Sequence, residues 1–286
     1  MENKAFPRTT VAGLSLSRMI IGTNWSLGWS HTSPAADHQI KRRYHDGASC
    51  VPLLESFLNH GVDTIMGMLQ QEQVMRDGVK AAEDKTGKGM IVIDTPILNV
   101  DDNAAARAEA RATVHRSKEA GATICFLHHS CAEQLVNKNK GTMDRLPDYL
   151  DMIRQHGMIP GLSAHMPELV QYSDENGYDV ETYIQIYNCM GFMMQIEVEG
   201  VNSVIWNAKK PVMTIKSMAA GRCTPFVGIT FSFTTIRPCD MVTLGAFTPD
   251  EVHEDVEIAM AAIEHRHPML GKRSSPVMSK LLEARR

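Results

Sequence analysis

The chain contains no apolar run near the ~20 residues that a membrane-spanning helix needs, and its opening MENKAFPRTT has no apolar signal segment. A soluble, cytoplasmic protein with no membrane partner is expected. Charge of one sign is also missing, since 29 Lys and Arg stand against 33 Asp and Glu, a net charge of −4 at pH 7. The basic runs KRR at 41–43 and KNK at 138–140 lack interleaved aromatics, so no nucleic acid is expected as a partner. Six cysteines, Cys50, Cys125, Cys131, Cys189, Cys223 and Cys239, form no C-x-x-C pair and read as free thiols of a reduced compartment. Linkers, low-complexity segments and strong repeats are absent as well.

What remains is an alternation of short apolar runs with helical patterns, the mark of successive βα units. At 286 residues, 43% hydrophobic and 22% charged, the chain fits one eight-stranded barrel, about 250 residues in typical cases. The segment TTVAGLSLSRM predicts an N-terminal β-hairpin. Strands are then expected in MIIGTNW, VDTIMG, MIVIDT, ATICFLHH, MIPGLSAH, DVETYIQIYN, PVMTIKS and DMVTLGA. Between them, PLLESFLNHG, residues 72–84, residues 104–120, LPDYLDMIRQHG and EGVNSVIWNAKK predict helices. A last helix opens at TPDEV, where Thr248 and Glu251 fit a capping box. The expected fold is α/β: a single (β/α)8 TIM barrel spanning 1–286, with a short N-terminal hairpin.

The run from Lys210 to Asp255, KPVMTIKSMAAGRC followed by IRPCDMVTLGAFTPDEVHED, resembles the end of the aldo-keto reductase family. There a "KPV…K…G" strand precedes a "D.V..G..TP..V.E" phosphate-binding turn. VAGLSLSRMIIGTNW and LNHGVDTI are similar to that family's opening and second strand. The resemblance implies a reductase that uses an aspartate, a tyrosine, a lysine and a histidine to pass a proton while a nicotinamide delivers hydride. Aligned on the strands, Met66 stands at the aspartate position, MLQQEQ lacks the tyrosine, and Pro96 stands at the lysine position. His128 alone matches. Phe247 and Thr248 replace the basic residue of the last turn and Asp255 the later asparagine, so NADPH is not expected.

In such barrels chemistry sits just past the C-terminal ends of the strands. The residues expected there are Asn24, Trp25, Trp29 and His31 after strand one, Asp94 on strand three, and His128 and His129 after strand four. His165 follows strand five, Gln185 and Asn188 lie on strand six, and Lys216 and Arg222 follow strand seven. Several ionisable groups in one cleft point to proton transfer, with His128, His165, Asp94 and Lys216 as catalytic candidates. Imidazole and carboxylate also suit a divalent metal (Zn, Mn or Fe), with His31 and His129 as candidate ligands, although no H-x-H or H-E-x-x-H spacing is present. Lys216 invites a Schiff base, ranked below acid/base or anchoring roles. The tryptophans beside hydroxyl and imidazole groups suit stacking on a sugar, or packing as a lid. The expected function is a non-redox enzyme, an isomerase, epimerase or lyase, acting on a small polyhydroxylated carbonyl substrate. An NADPH oxidoreductase with displaced catalytic groups and an inactive barrel serving as a scaffold are the alternatives. A homo-oligomer remains open.

Overall fold

The computed structural model describes residues 5–270; the first four residues of the N-terminal stretch and positions 271–286 of the expected domain lie outside it. Eight parallel strands close into a barrel. They are β1 (Met19–Gly22), β2 (Thr64–Gly67), β3 (Ile91–Asp94), β4 (Ala122–Leu127), β5 (Ile159–Ala164), β6 (Thr182–Ile186), β7 (Val212–Ile215) and β8 (Met241–Leu244). Strand β8 pairs with β1 from Val242 opposite Met19 to Leu244 opposite Ile21, which completes the circle. All eight lie within the expected segments, because a strand covered on both faces reads as a continuous apolar run.

Residues alternate along each strand between the barrel axis and the helix layer, and this parity decides which side chains can reach a ligand. Ile20, Met66, Ile93, Ile124, Phe126, Ile184, Met213 and Met241 fill the interior as one buried cluster. Their neighbours Met19, Ile21, Ile65, Val92, Cys125, Tyr183 and Val242 belong to a second cluster packed under the helices. The expected hairpin forms from Arg8–Val11 and Leu14–Ser17. Val11 and Leu16 from it join the interior cluster and plug the N-terminal end of the barrel. Among the described residues no helix is long and apolar enough to cross a membrane.

The last helix, Pro249–Ile263, carries the expected capping box between Thr248 and Glu251. Three of the longer helices fall outside the helical segments named from the sequence, Pro34–Arg43, Glu168–Asn176 and Pro225–Thr235. The first buries only Ile40, so it has no apolar stripe to recognise; Ser33 caps it and Pro34 starts it.

Phe126 fills the axis beside Gly161, its register partner on β5. A Cβ at Gly161 would stand 2.3 Å from the Phe126 ring. Gly161→Ala is therefore expected to force Phe126 aside and destabilise the fold by about 1–3 kcal/mol, read by denaturant unfolding. An unchanged midpoint would show that the axis is loosely packed.

Candidate active site

Above the interior cluster, the C-terminal end of the barrel opens into a cavity of about 490 Å³. Its floor is set by Met66, Ile184 and Ile215, and its walls come from the turns after β1, β3, β4, β5, β7 and β8. Parity explains most of the wall. His128 continues the inward series of Phe126, and His165 continues that of Gly161 and Ser163.

Lys216 breaks the rule. Met213 and Ile215 point inward, so a regular strand would turn Lys216 toward the helices, yet it lines the cavity. Its φ of 61 reverses the chain direction there, a left-handed conformation that costs a non-glycine residue about 1–3 kcal/mol. Among the described residues no acidic side chain lines this cavity with it. Burial accordingly pushes Lys216 down to about 8 from an ordinary value of 10.5.

The imidazoles line up along one wall. His128 and His129 have ring centroids 4.2 Å apart, and His129 stacks on His165 at 3.5 Å with 15° between planes. Burial, then the neighbouring charge of His129, pushes both His128 and His165 down to about 4, and the Lys216 charge adds to this. They are neutral at neutral pH. The His128 tautomer follows from its partners: the Ser130 backbone N–H donates to Nδ1 at 3.3 Å, with the Ser130 hydroxyl 2.7 Å from the same atom. A backbone N–H can only donate, so Nδ1 accepts and the ring proton sits on Nε2. His128 is thus a neutral hydrogen-bond donor.

Trp25 and Trp29 lie on the opposite rim with Asn24, Ser30 and His31. Trp25 packs over Gly245, where a Cβ would come within 3.3 Å of its ring. Asn24 Nδ2 lies 3.4 Å from His31 Nε2. Burial lowers the His31 value, as does the Lys216 charge, which places the amine's field across the mouth. Thr243 also lines the cavity, and its buried Oγ1 has no hydrogen-bond partner among the described residues.

Several expected positions fall elsewhere. Asp94 follows inward-facing Ile93 and so points to the helix layer, where it is fully buried. Its Oδ1 accepts the Gln70 N–H at 3.3 Å, and burial raises its value although a hydrogen bond from Ser117 opposes this. It is not at the mouth. Gln185 follows inward Ile184 and likewise faces away, its Nε2 donating to the His165 carbonyl at 3.4 Å. Asn188 ties its own loop, accepting from Met190 and Phe192 N–H groups and donating to the Phe192 carbonyl. Arg222 lies outside the cavity lining, with its guanidinium 4.0 Å from the Phe192 ring centroid. His31 is not among the groups whose donor atoms converge. The sequence reading missed Thr243, and it missed Glu133, whose Oε1 accepts the backbone N–H groups of His165 at 2.6 Å and Met166 at 3.1 Å. Its i, i+4 spacing from His129 was the available signal.

No protein-family profile matches the chain, and no curated protein sequence matches it either. Solved structures do. A Pseudomonas aeruginosa protein assigned as an aldo-keto reductase superposes with a TM-score of 0.62 at 14% identity, covering 92% of this chain and 98% of that one. A truncated 3-deoxy-D-arabino-heptulosonate 7-phosphate synthase from Thermotoga maritima gives 0.52 at 12% identity, covering 98% and 93%. Giardia lamblia aldose reductase gives 0.51 at 11% identity, covering 94% of each. The chain therefore has an aldo-keto-reductase-like TIM barrel fold. At these identities the likeness concerns shape alone.

If Asp94 serves only the wall between strand and helix, Asp94→Asn leaves any turnover within about twofold. Loss of turnover in a folded variant would return Asp94 to the chemistry.

Proposed function

We propose that this barrel is a non-redox enzyme that moves a proton next to the carbonyl of a small polyhydroxylated, sugar-like substrate, in an isomerase, epimerase or lyase reaction. The observation that carries the reading is the Lys216 amine, desolvated and without a carboxylate, facing a neutral imidazole donor across one cavity. A general base works best when its value lies near the operating pH, and about 8 meets that condition. In its neutral form Lys216 takes the proton from the carbon beside the carbonyl. His128 donates from Nε2 to the carbonyl oxygen, where negative charge grows as the C–H bond breaks. The ammonium so formed then returns the proton to the neighbouring carbon in an isomerisation, to the departing oxygen in an elimination, or to the same carbon once the planar intermediate has turned its other face to Lys216. Trp25 and Trp29 offer flat surfaces for the C–H face of the substrate, and Thr243 offers an unpaired hydroxyl to its rim.

Nicotinamide chemistry, which the fold resemblance brings to mind, fits the residues poorly. In the turn before the last helix the Glu251 carboxylate already accepts the N–H groups of Phe247 at 2.6 Å and Thr248 at 3.3 Å. A phosphate would meet that carboxylate where it needs free donors. The cavity lining includes Met66 where the resemblance implies an aspartate, and among the described residues it includes no tyrosine.

The substrate need not be known for a first test. Short aldoses, ketoses and sugar acids incubated with the protein in D₂O should gain deuterium beside the carbonyl, read by proton NMR. Lys216→Met should lower that exchange by about 10²–10⁴-fold. Tight NADPH binding with hydride transfer to a carbonyl would contradict the reading, as would borohydride trapping of Lys216 on substrate, which would make it a Schiff-base nucleophile.

The pH dependence has a definite sign. If Lys216 acts as the base, kcat/KM rises as pH rises through about 8 and then levels; an anchoring ammonium would make it fall there. Stability follows the same group. The fold penalises the charged amine, so the penalty is full below pH about 8 and is relieved as pH approaches 10.5, where the unfolded chain also loses the proton. Wild type should therefore gain Tm relative to Lys216→Met across that window. A constant difference would place the amine in water.

A further inference from the structure

We propose that the chain binds one divalent transition-metal ion of the zinc type through His129, Glu133 and His165, with the remaining coordination position open to the cavity. The donor atoms of these three side chains lie within 4.8 Å of one another. They come from two elements, His129 and Glu133 from the short helical segment after β4 and His165 from the end of β5. Two imidazoles with one carboxylate suit zinc and its first-row neighbours; calcium and magnesium favour all-oxygen cages.

Two further observations point to a ligand here. His129 Nδ1 is buried and has no hydrogen-bond partner among the described residues; Glu133 Oε2 stands 3.9 Å away. A buried ring nitrogen left without a partner is rare enough to need a reason. Glu133, meanwhile, is held as ligand carboxylates are held. Its Oε1 is fixed by the His165 and Met166 N–H groups, which leaves Oε2 on the side of His129. Glu133 also supplies the negative charge that offsets the repulsion between a bound cation and Lys216.

The stacked rings set a condition on binding. Parallel imidazole planes 3.5 Å apart aim their lone pairs side by side, so they cannot share an ion as they stand. Ligand atoms around a tetrahedral zinc ion are about 3.4 Å apart, as follows from bonds of about 2.0–2.1 Å. Binding therefore turns His129 and His165 out of their stack and draws donors that lie within 4.8 Å of one another together by up to about 1.4 Å. The ion would then sit in the cavity wall, within reach of a substrate oxygen.

The test needs no substrate, so its failure would leave the proton-transfer reading standing. Full-length protein freed of metal with a chelator is titrated with Zn²⁺ by calorimetry and with Co²⁺ by visible absorption. One ion per chain is expected, with the absorption bands of four- or five-coordinate Co²⁺. Glu133→Gln keeps an oxygen for the His165 and Met166 N–H groups while removing the charge, and it should weaken Zn²⁺ binding at least about 10-fold; His129→Ala and His165→Ala should weaken it about 100-fold or more. His31→Ala should leave it unchanged. Circular dichroism checks that each variant folds. The proposal is overturned if wild type takes up less than a stoichiometric ion, if Co²⁺ shows only the octahedral spectrum of the aqueous ion, or if folded Glu133→Gln, His129→Ala and His165→Ala bind Zn²⁺ as wild type does.

Discussion

An amine taken out of water with no carboxylate to meet it sets the terms for the whole cavity. Lys216 is placed there by a left-handed backbone turn that reverses the facing β7 would otherwise give it. The fold bears both costs, backbone strain and a desolvated charge. Its consequences spread to the other groups, since the Lys216 charge helps hold His31, His128 and His165 below their ordinary values. A basic amine opposite neutral imidazoles is the kind of pairing that the proposed proton transfer needs.

The rest of the molecule keeps that arrangement in place. Side chains from all eight strands would otherwise leave a pore, but Phe126 beside Gly161 and the hairpin residues Val11 and Leu16 fill the axis from below. The cavity is therefore a closed-bottomed cup with one mouth. Its rim has tryptophans on the β1 side and histidines on the β4 and β5 side, so a small ligand would lie between a flat apolar surface and a row of ring nitrogens.

The barrel itself was legible because buried parallel strands are apolar along their length, and each of the eight lies where such a run occurs. His128, His129, His165, Lys216, Asn24, Trp25, Trp29 and His31 were also found at the mouth, since residues just past strand ends gather there. Asp94 and Gln185 were not, for a shared reason. Each ends or nearly ends a strand, but each stands one residue after an inward side chain, and a single step of the pleat sends it to the helix layer. Composition cannot show parity until the inward residue is known. Glu133 was hidden differently: it lies past the strand end in a helical segment and reaches back to His129 and His165 only in three dimensions. Asn188 carries a polar side chain whose bonds are spent within its own loop, which no spacing rule reveals.

The fold is that of aldo-keto-reductase-like barrels, while the chemistry at its mouth is set by a few side chains that the fold leaves free to vary. The proposed proton transfer depends on the state of one amine, that of Lys216. The most direct measurement is an NMR titration of the protein with ¹³C-labelled lysine, following the Lys216 Cε signal assigned by its loss in Lys216→Met. A midpoint of about 8 is predicted for Lys216, well below the ordinary lysine value of 10.5. A Lys216 midpoint near 10.5 would mean that the amine stands in water or is paired, and would contradict the account.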